Sequence, residues 1–396
     1  MSLETYNVAA DRRSTIISAL IASAVGVLMY NVLPLFLGAA QDRHGLNSVQ
    51  TGLMGTSFFL GFNVAGATAF YWIRRISWRF GAVLAAPFTS AVLLISNLDL
   101  PFTIALAAVC ASGVASGVLY SIGTTIIGDT SAPNRWYGVK VAMESSAGTL
   151  LLFLLPVTLT ARFGPAGVVY GMAGFIILLL PILFLLPRTW QKSDPAILGA
   201  QISPATPLDR VAIVSAVVSL LMVFAGISAI WAFAERMGKL SGYDEGSVGQ
   251  LLAITLMSGI FASLGVAYFG ERLHRVKTYV ISLGVVFAGL LLLSIPHAFI
   301  IYALGNCLYM MGWSAATPLA SAEIAHLDTD GRYTSMIVPA IGIGSMIGPF
   351  VAGLILEEHS PTVLFIFVAF SILVAALLMI FAARRARVTY SVGALL

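Results

Sequence analysis

Lys140 and Glu144 are the residues with the most chemistry to offer, because both stand inside an apolar run. That run covers residues 136–161, and of twelve such runs it alone holds formal charges. An ionisable group in hydrocarbon is costly, so it marks a functional site by default. Glu144 lies about eight residues into the run, roughly 12 Å deep at the helical rise, near the middle of a core about 30 Å thick. A carboxyl withdrawn from water can take up and release a proton, which is the chemistry of proton coupling. Lys140 stands one helical turn away on the same face, within reach of an i, i+4 ion pair. A purely structural pair, or a lysine that snorkels toward water, would use the same two residues. Both readings stay open at this level.

A second set of charges sits at the ends of runs. Asp129 is followed by Arg135, and Glu323 by Arg332. With the loop charges Arg75, Glu271, Arg272 and Arg275 they are expected to form ion pairs that close and open as a gate. Amides and phenols inside the runs are candidate solute contacts, since a few polar groups among apolar walls orient a ligand. These are Tyr30, Asn31, Asn63 and Tyr120 in the first half, and Trp231, Asn306, Tyr309 and Trp313 in the second. Ser121 and Thr124 accompany Tyr120. Asp42, Arg43 and His44, and Glu235 with Arg236, read as solvated loop charge rather than a second gate.

The elements that must position these groups follow from composition. The chain of 396 residues is 59% hydrophobic and 10% charged, with a mean hydropathy of +0.95. A soluble domain carries about 25% charged residues, so this composition is that of an integral membrane protein. The net charge of +4 does not point to nucleic acid. All but four of the 21 Lys and Arg fall on one side of the membrane if the N-terminus is inside, the exceptions being Arg43, Arg162, Arg236 and Lys239. That is the positive-inside bias, and it predicts cytoplasmic termini. A bacterial cytoplasmic membrane is the expected location. Cys110 and Cys307 lie in apolar runs and read as free core residues. The first run follows Arg12 and Arg13 but is too long for the core of a signal peptide, so it reads as a retained span.

The runs are 14–38, 48–73, 80–97, 101–128, 136–161 and 166–186, then 211–233, 246–270, 278–295, 299–322, 333–356 and 361–383. Each is about one bilayer long, and helices satisfy the backbone inside lipid. The fold class predicted is all-α integral membrane, twelve transmembrane helices in two six-helix bundles. The expected domains are 1–187 and 211–396, joined by a cytoplasmic linker over 188–210 that holds Pro195, Pro204 and Pro207. Pro34, Pro156, Pro318 and Pro349 lie within runs and predict kinks.

The two halves echo each other. A basic loop stands between the second and third runs (Arg74, Arg75, Arg79) and between the eighth and ninth (Arg272, Arg275, Lys277). An acid closes the fourth and tenth runs, and an Arg opens the next, with the equivalents roughly 195 residues apart. Parallel six-span repeats are a transporter construction.

On these features the chain resembles the major facilitator superfamily over essentially its whole length. The family's loop pattern, Gly-x-x-x-Asp-Arg-x-Gly-Arg-Lys, is matched by Glu271, Arg272 and Arg275, with Ala267 and His274 in place of glycines. In the first half Arg74 stands where the acid belongs, and Arg75 is retained. Gly344, Gly348, Pro349 and Gly353 resemble a Gly-Pro motif that drug exporters carry in the fifth span. The fifth span here has Gly148, then Leu152 and Phe153. The resemblance implies two bundles rocking about a central cavity, lined by spans 1, 4, 7 and 10, with spans 3, 6, 9 and 12 facing lipid.

The function expected is secondary transport of a small organic solute by alternating access, coupled to protons, by a monomer without cofactor or metal. The aromatic and Met residues of spans 7 and 10 suit an aromatic or amphiphilic solute, and Lys140 leaves a monoanion open. Efflux of drug-like compounds by proton antiport is the alternative. No Gly-x-x-x-x-Gly-Lys-Ser/Thr motif provides for ATP. A membrane-embedded enzyme would need clustered His, Asp or Glu at membrane depth, and the five His lie at loops or run ends. A non-transporting receptor would bind a ligand without flux.

Overall fold

The computed structural model describes residues 11–130, 133–188, 209–269, 274–295, 299–328, 333 and 336–393. Among the described residues there are twelve helical rods and no strand. The first, α1, is interrupted: Arg13–Gly26, Leu28–Asn31 and Leu33–His44 follow one another with breaks at Val27 and Val32. Pro34 in the first turn of the last piece explains the second break, because proline lacks the N–H that the preceding turn would use. Then come α2 (Ser48–Trp72), α3 (Trp78–Ser96) and α4 (Phe102–Gly128). Helix α5 runs from Pro133 to Leu155 and continues through a π-helical turn, Pro156–Thr160, to Ala161–Phe163. Pro156 starts that turn, where a missing amide favours the wider hydrogen-bond register. Helix α6 is Ala166–Leu183. The second half holds α7 (Arg210–Leu240), α8 (Glu245–Phe269), α9 (Arg275–Leu293), α10 (Phe299–Leu327), α11 (Ile337–Glu358) and α12 (Pro361–Gly393). Ten of the helices are long and apolar enough to cross a membrane.

Several of these helices outrun the apolar stretches that announce them, α7 and α10 among them. Helix α7 continues seven residues past 233 and so carries Glu235, Arg236 and Lys239 as helical residues. Helix α10 continues past 322 to Leu327 and carries Glu323. Charged residues form helix well, so hydropathy alone places such ends too early.

Contacts divide the chain into two compact units. The first gathers Met1–Ser193, Trp231–Met257 and Pro349–Glu357; the second gathers Asp194–Ile230, Ser258–Gly348 and Glu358–Leu396. In the first unit α1 is the core. Of Arg13–Gly26 all but the first residue or two and Ile17 are buried. It packs on α4 and α5, while α4 packs on α2 and α3, and α6 on α3. Small residues let these backbones approach. A Cβ added at Gly26 would stand 2.5 Å from Tyr120 N, and one at Gly123 would stand 2.5 Å from Ala19 O. In the second unit α9 packs on α10 and α12. Tyr279 Oη and Ser219 Oγ meet at 2.8 Å, and Ser219 Oγ donates to Ala375 O at 2.7 Å. A Cβ at Gly312 would stand 2.6 Å from Ser282 O. Helices α3, α6, α9 and α12 turn large apolar side chains outward, among them Phe80, Leu178, Ile281 and Phe370. Such faces suit hydrocarbon as solvent.

Candidate functional site

Three glycines build the polar site of the first unit. Gly26 and Gly123 press α1 onto α4, and Gly148 presses α5 onto Asn31, whose Cβ would lie 2.5 Å from a Cβ placed there. With α1 wedged this closely, its Ser23 and Asn31 reach Glu144 on α5. The Nζ of Lys140 stands 2.7 Å from Glu144 Oε1. The hydroxyl of Ser23 donates a short hydrogen bond to the same oxygen. Asn31 Nδ2 donates to the backbone carbonyl of Glu144 at 2.8 Å. Lys140 Nζ also lies over the ring of Tyr120, 4.2 Å from its centre, where the ring's negative face attracts a cation. Lys140 is 3% exposed and Glu144 8%. The predicted i, i+4 pair is therefore formed, and it is tied to α1 and α4 rather than isolated on α5. Ser23 belongs to this site and was not foreseen. A small hydroxyl in a helix is ordinarily bonded to its own backbone, so its type carries no signal.

An aromatic band adjoins the site. Tyr30 meets Phe59 edge-on at 5.3 Å, and Phe62 lies 5.4 Å from Tyr120. Asn63 is one turn beyond Phe59 on α2, and its Nδ2 is buried with no hydrogen-bond partner. Of the candidate solute contacts, Asn63 thus keeps an unpartnered amide nitrogen, while Tyr120 carries Lys140 over its ring. Trp231 does not offer its indole N–H outward: that group donates to Tyr30 O at 3.0 Å, and the residue is 1% exposed. Asn306 spends its Nδ2 on Tyr302 O of its own helix at 3.0 Å. Tyr309, fully buried, donates to Ile227 O on α7 at 2.9 Å. These three were expected to line a cavity; in the structure the donor of each goes to a backbone carbonyl, as a buried donor requires. Trp313 packs edge-on against Phe224 at 5.6 Å.

The charges at the helix ends pair differently from the expectation. Asp129 does not pair with Arg135. It takes a two-pronged bond from Arg74, at 2.8 and 2.9 Å. The packing of α2 on α4 brings the 2–3 loop under the end of α4, whereas Arg135 is exposed and lies beside Trp136. Burial pushes the Asp129 carboxyl above its usual range, with Arg74 acting in the opposite sense. In the second unit Glu323 is matched with Arg275, at 3.9 Å. The two acids occupy equivalent places, at the ends of α4 and α10, but their partners do not: Arg74 lies in the 2–3 loop, whereas Arg275 opens α9. Glu271, Arg272 and Arg332 lie outside the described residues.

At the opposite end of the first unit, where α1 ends and α7 gives way to α8, a second cluster forms. Lys239 Nζ stands 2.7 Å from both Asp42 Oδ2 and Glu235 Oε1, and 3.8 Å from Glu245 Oε2. Arg236 Nη1 lies 3.4 Å from Asp42 Oδ1. The reading as solvated loop charge is corrected for Glu235, which is 1% exposed because α7 stays helical through it and packs on α1, whereas Asp42 and Arg43 are exposed.

Comparison with known proteins agrees with this architecture. The description "Major Facilitator Superfamily" matches residues 15–327 and 216–393. Among solved structures, the nucleoside transporter NupG superposes with a TM-score of 0.68 at 14% identity, covering 92% of this chain and 98% of its own. A bacterial homologue of the human lysosomal transporter Spinster, in an inward-facing and unoccupied conformation, gives 0.67 at 15% identity, covering 96% and 97%. No curated protein matches the sequence. With twelve helical rods among the described residues and a family match over nearly the whole length, the chain belongs to the Major Facilitator Superfamily and is a secondary transporter of the alternating-access kind.

Proposed function

We propose that the chain carries a small organic solute in exchange or company with protons, and that Glu144 is the residue through which the proton passes. The observation that carries this reading is the setting of its carboxylate. It is withdrawn from water, held by Lys140 and Ser23, and joined through its own carbonyl to Asn31. Three helices therefore respond to whether Glu144 is charged. Loss of its charge frees Lys140 for another anion or for water, which couples protonation to the packing of α1, α4 and α5. The solute class supported by Tyr30, Phe59, Phe62 and Tyr120 with the unpartnered Asn63 amide is an aromatic or amphiphilic molecule with hydrogen-bond acceptors. Nucleosides, named for one structural neighbour, belong to that class and head the panel to be tried.

The pairs Arg74–Asp129 and Arg275–Glu323 serve as the gate at the end that bears the termini. The Lys and Arg bias supports the cytoplasm for that end and a bacterial cytoplasmic membrane for the protein, acting as a monomer. The test is flux in proteoliposomes with an imposed pH gradient, after a binding screen has found a solute. Acid outside should accelerate uptake if the coupling is symport, and loss from loaded vesicles if it is antiport. Glu144→Gln should abolish gradient-driven flux and keep solute exchange. Driven flux that survives this substitution would sink the role of Glu144.

A further inference from the structure

The far-end cluster contains a buried carboxyl that the coupling pair does not need. Glu235 is 1% exposed and turns one oxygen to Lys239. Its other oxygen, Oε2, has no hydrogen-bond partner and lies against the backbone of Gly38 on α1. One turn along the same face of α1, Gln41 Oε1 is buried without a donor. A buried acceptor left unmatched is costly, and a carboxylate more so. An added proton on Oε2 turns that acceptor into a donor beside a face that lacks one.

The charges point the same way. The groups facing one another are Asp42 from α1, Glu235, Arg236 and Lys239 from α7, and Glu245 from α8. Three carboxyls meet two cations, so one negative charge is in surplus. The neighbouring charges are engaged elsewhere. Arg43 donates to Asn97 O, His44 faces Asp99, and Asp244 caps the start of α8 through Ser247. Asp42 and Glu245 are each about a third exposed, with side chains at 34% and 36%. Water can carry their charge, while Glu235 has none.

We propose that Glu235 is a second proton-binding site, which holds its proton while Lys239 clasps Asp42 and releases it when that clasp opens. On opening, Asp42 leaves the cluster and Lys239 remains one turn from Glu235. The O–H bond of Glu235 then breaks, its proton passes to water that reaches the carboxyl, and a one-to-one carboxylate–ammonium pair is left. For its purpose the site rests on the proton-coupled reading above, but the protonation itself can be measured without any flux.

The experiment is infrared difference spectroscopy of the full-length protein in lipid vesicles across a pH series. The wild type should show a carboxylic acid carbonyl band at neutral pH that fades as the medium is made alkaline. E235Q should lack it and E144Q should keep it. D42N and E245Q each remove the surplus charge from an exposed position. Either should move the midpoint of the band down by about one pH unit, a tenfold change in proton affinity. These two variants serve where E235Q fails to fold. A band that persists in E235Q, or a midpoint that D42N and E245Q leave in place, overturns the proposal. A band lost in E144Q alone does so too, and leaves the coupling role of Glu144 standing. Conversely, driven flux unchanged in E144Q with the band assigned to Glu235 removes the first reading and supports the second.

Discussion

The pair Lys140–Glu144 makes a strong energetic prediction, because both ends are buried and each has further contacts. Glu144→Gln leaves the Lys140 ammonium, 3% exposed, without its anion. Removing one partner of a buried pair costs about 3–5 kcal/mol. The ring of Tyr120 at 4.2 Å returns about 1–2 kcal/mol of that to a desolvated cation, so a net loss of about 2–3 kcal/mol is expected. Lys140→Met costs less, about 1–2 kcal/mol, since Glu144 keeps the Ser23 hydroxyl. The double variant removes the stranded charge and should be no worse than the Glu144→Gln single. A double-mutant cycle on denaturant unfolding in detergent at neutral pH should then give a coupling of at least about 1–2 kcal/mol. An exposed i, i+4 pair would give about 0.3–0.5 kcal/mol. Effects that add to within about 0.5 kcal/mol would refute the claim that the two residues form one desolvated unit.

Two further outcomes follow from packing and from burial. Gly123→Val should destabilise by about 1–3 kcal/mol, because its Cβ would meet the backbone of Ala19 and Ser23 at 2.5–2.8 Å and neither can step aside. Gly174→Ala, where open space surrounds the site, should be neutral or stabilising by up to about 1 kcal/mol, and thermal unfolding of both variants checks the contrast. Burial raises the Asp129 carboxyl while Arg74 opposes the rise. A carboxyl raised in the folded state contributes stability that is present at low pH and lost as pH climbs through its folded value. Arg74→Ala removes the opposing influence, so its stability should fall away from wild type as pH rises above the ordinary carboxylate range and converge with it in acid; curves that stay parallel would count against this pairing.

The sequence settled what depends on hydropathy and repetition. Twelve apolar runs, each one bilayer long, dictate helices because lipid offers the backbone no other partner. The acid that ends the fourth run and its echo at the tenth marked two positions that the structure does use, Asp129 and Glu323. Lys140 and Glu144 were legible because a charge inside an apolar run needs a reason, and their spacing alone sets them on one face.

What the tertiary structure decided was partnership. Asp129 sits six residues from Arg135, yet binds Arg74 of the 2–3 loop, because helix packing and not chain distance brings that loop to it. Trp231, Asn306 and Tyr309 have the residue types of a binding wall, but close helix contact supplies Trp231 and Tyr309 with a carbonyl inside the protein, and Asn306 bonds one of its own helix. Ser23 joined the site only through the approach that Gly123 allows. Glu235 shows the limit most plainly. Its run ended two residues earlier by hydropathy, and only the continued helix, pressed on Gly38, turned a loop charge into a buried one. Hydropathy is a property of each segment by itself, whereas burial and pairing belong to two segments at once, and so they appear only when the helices meet.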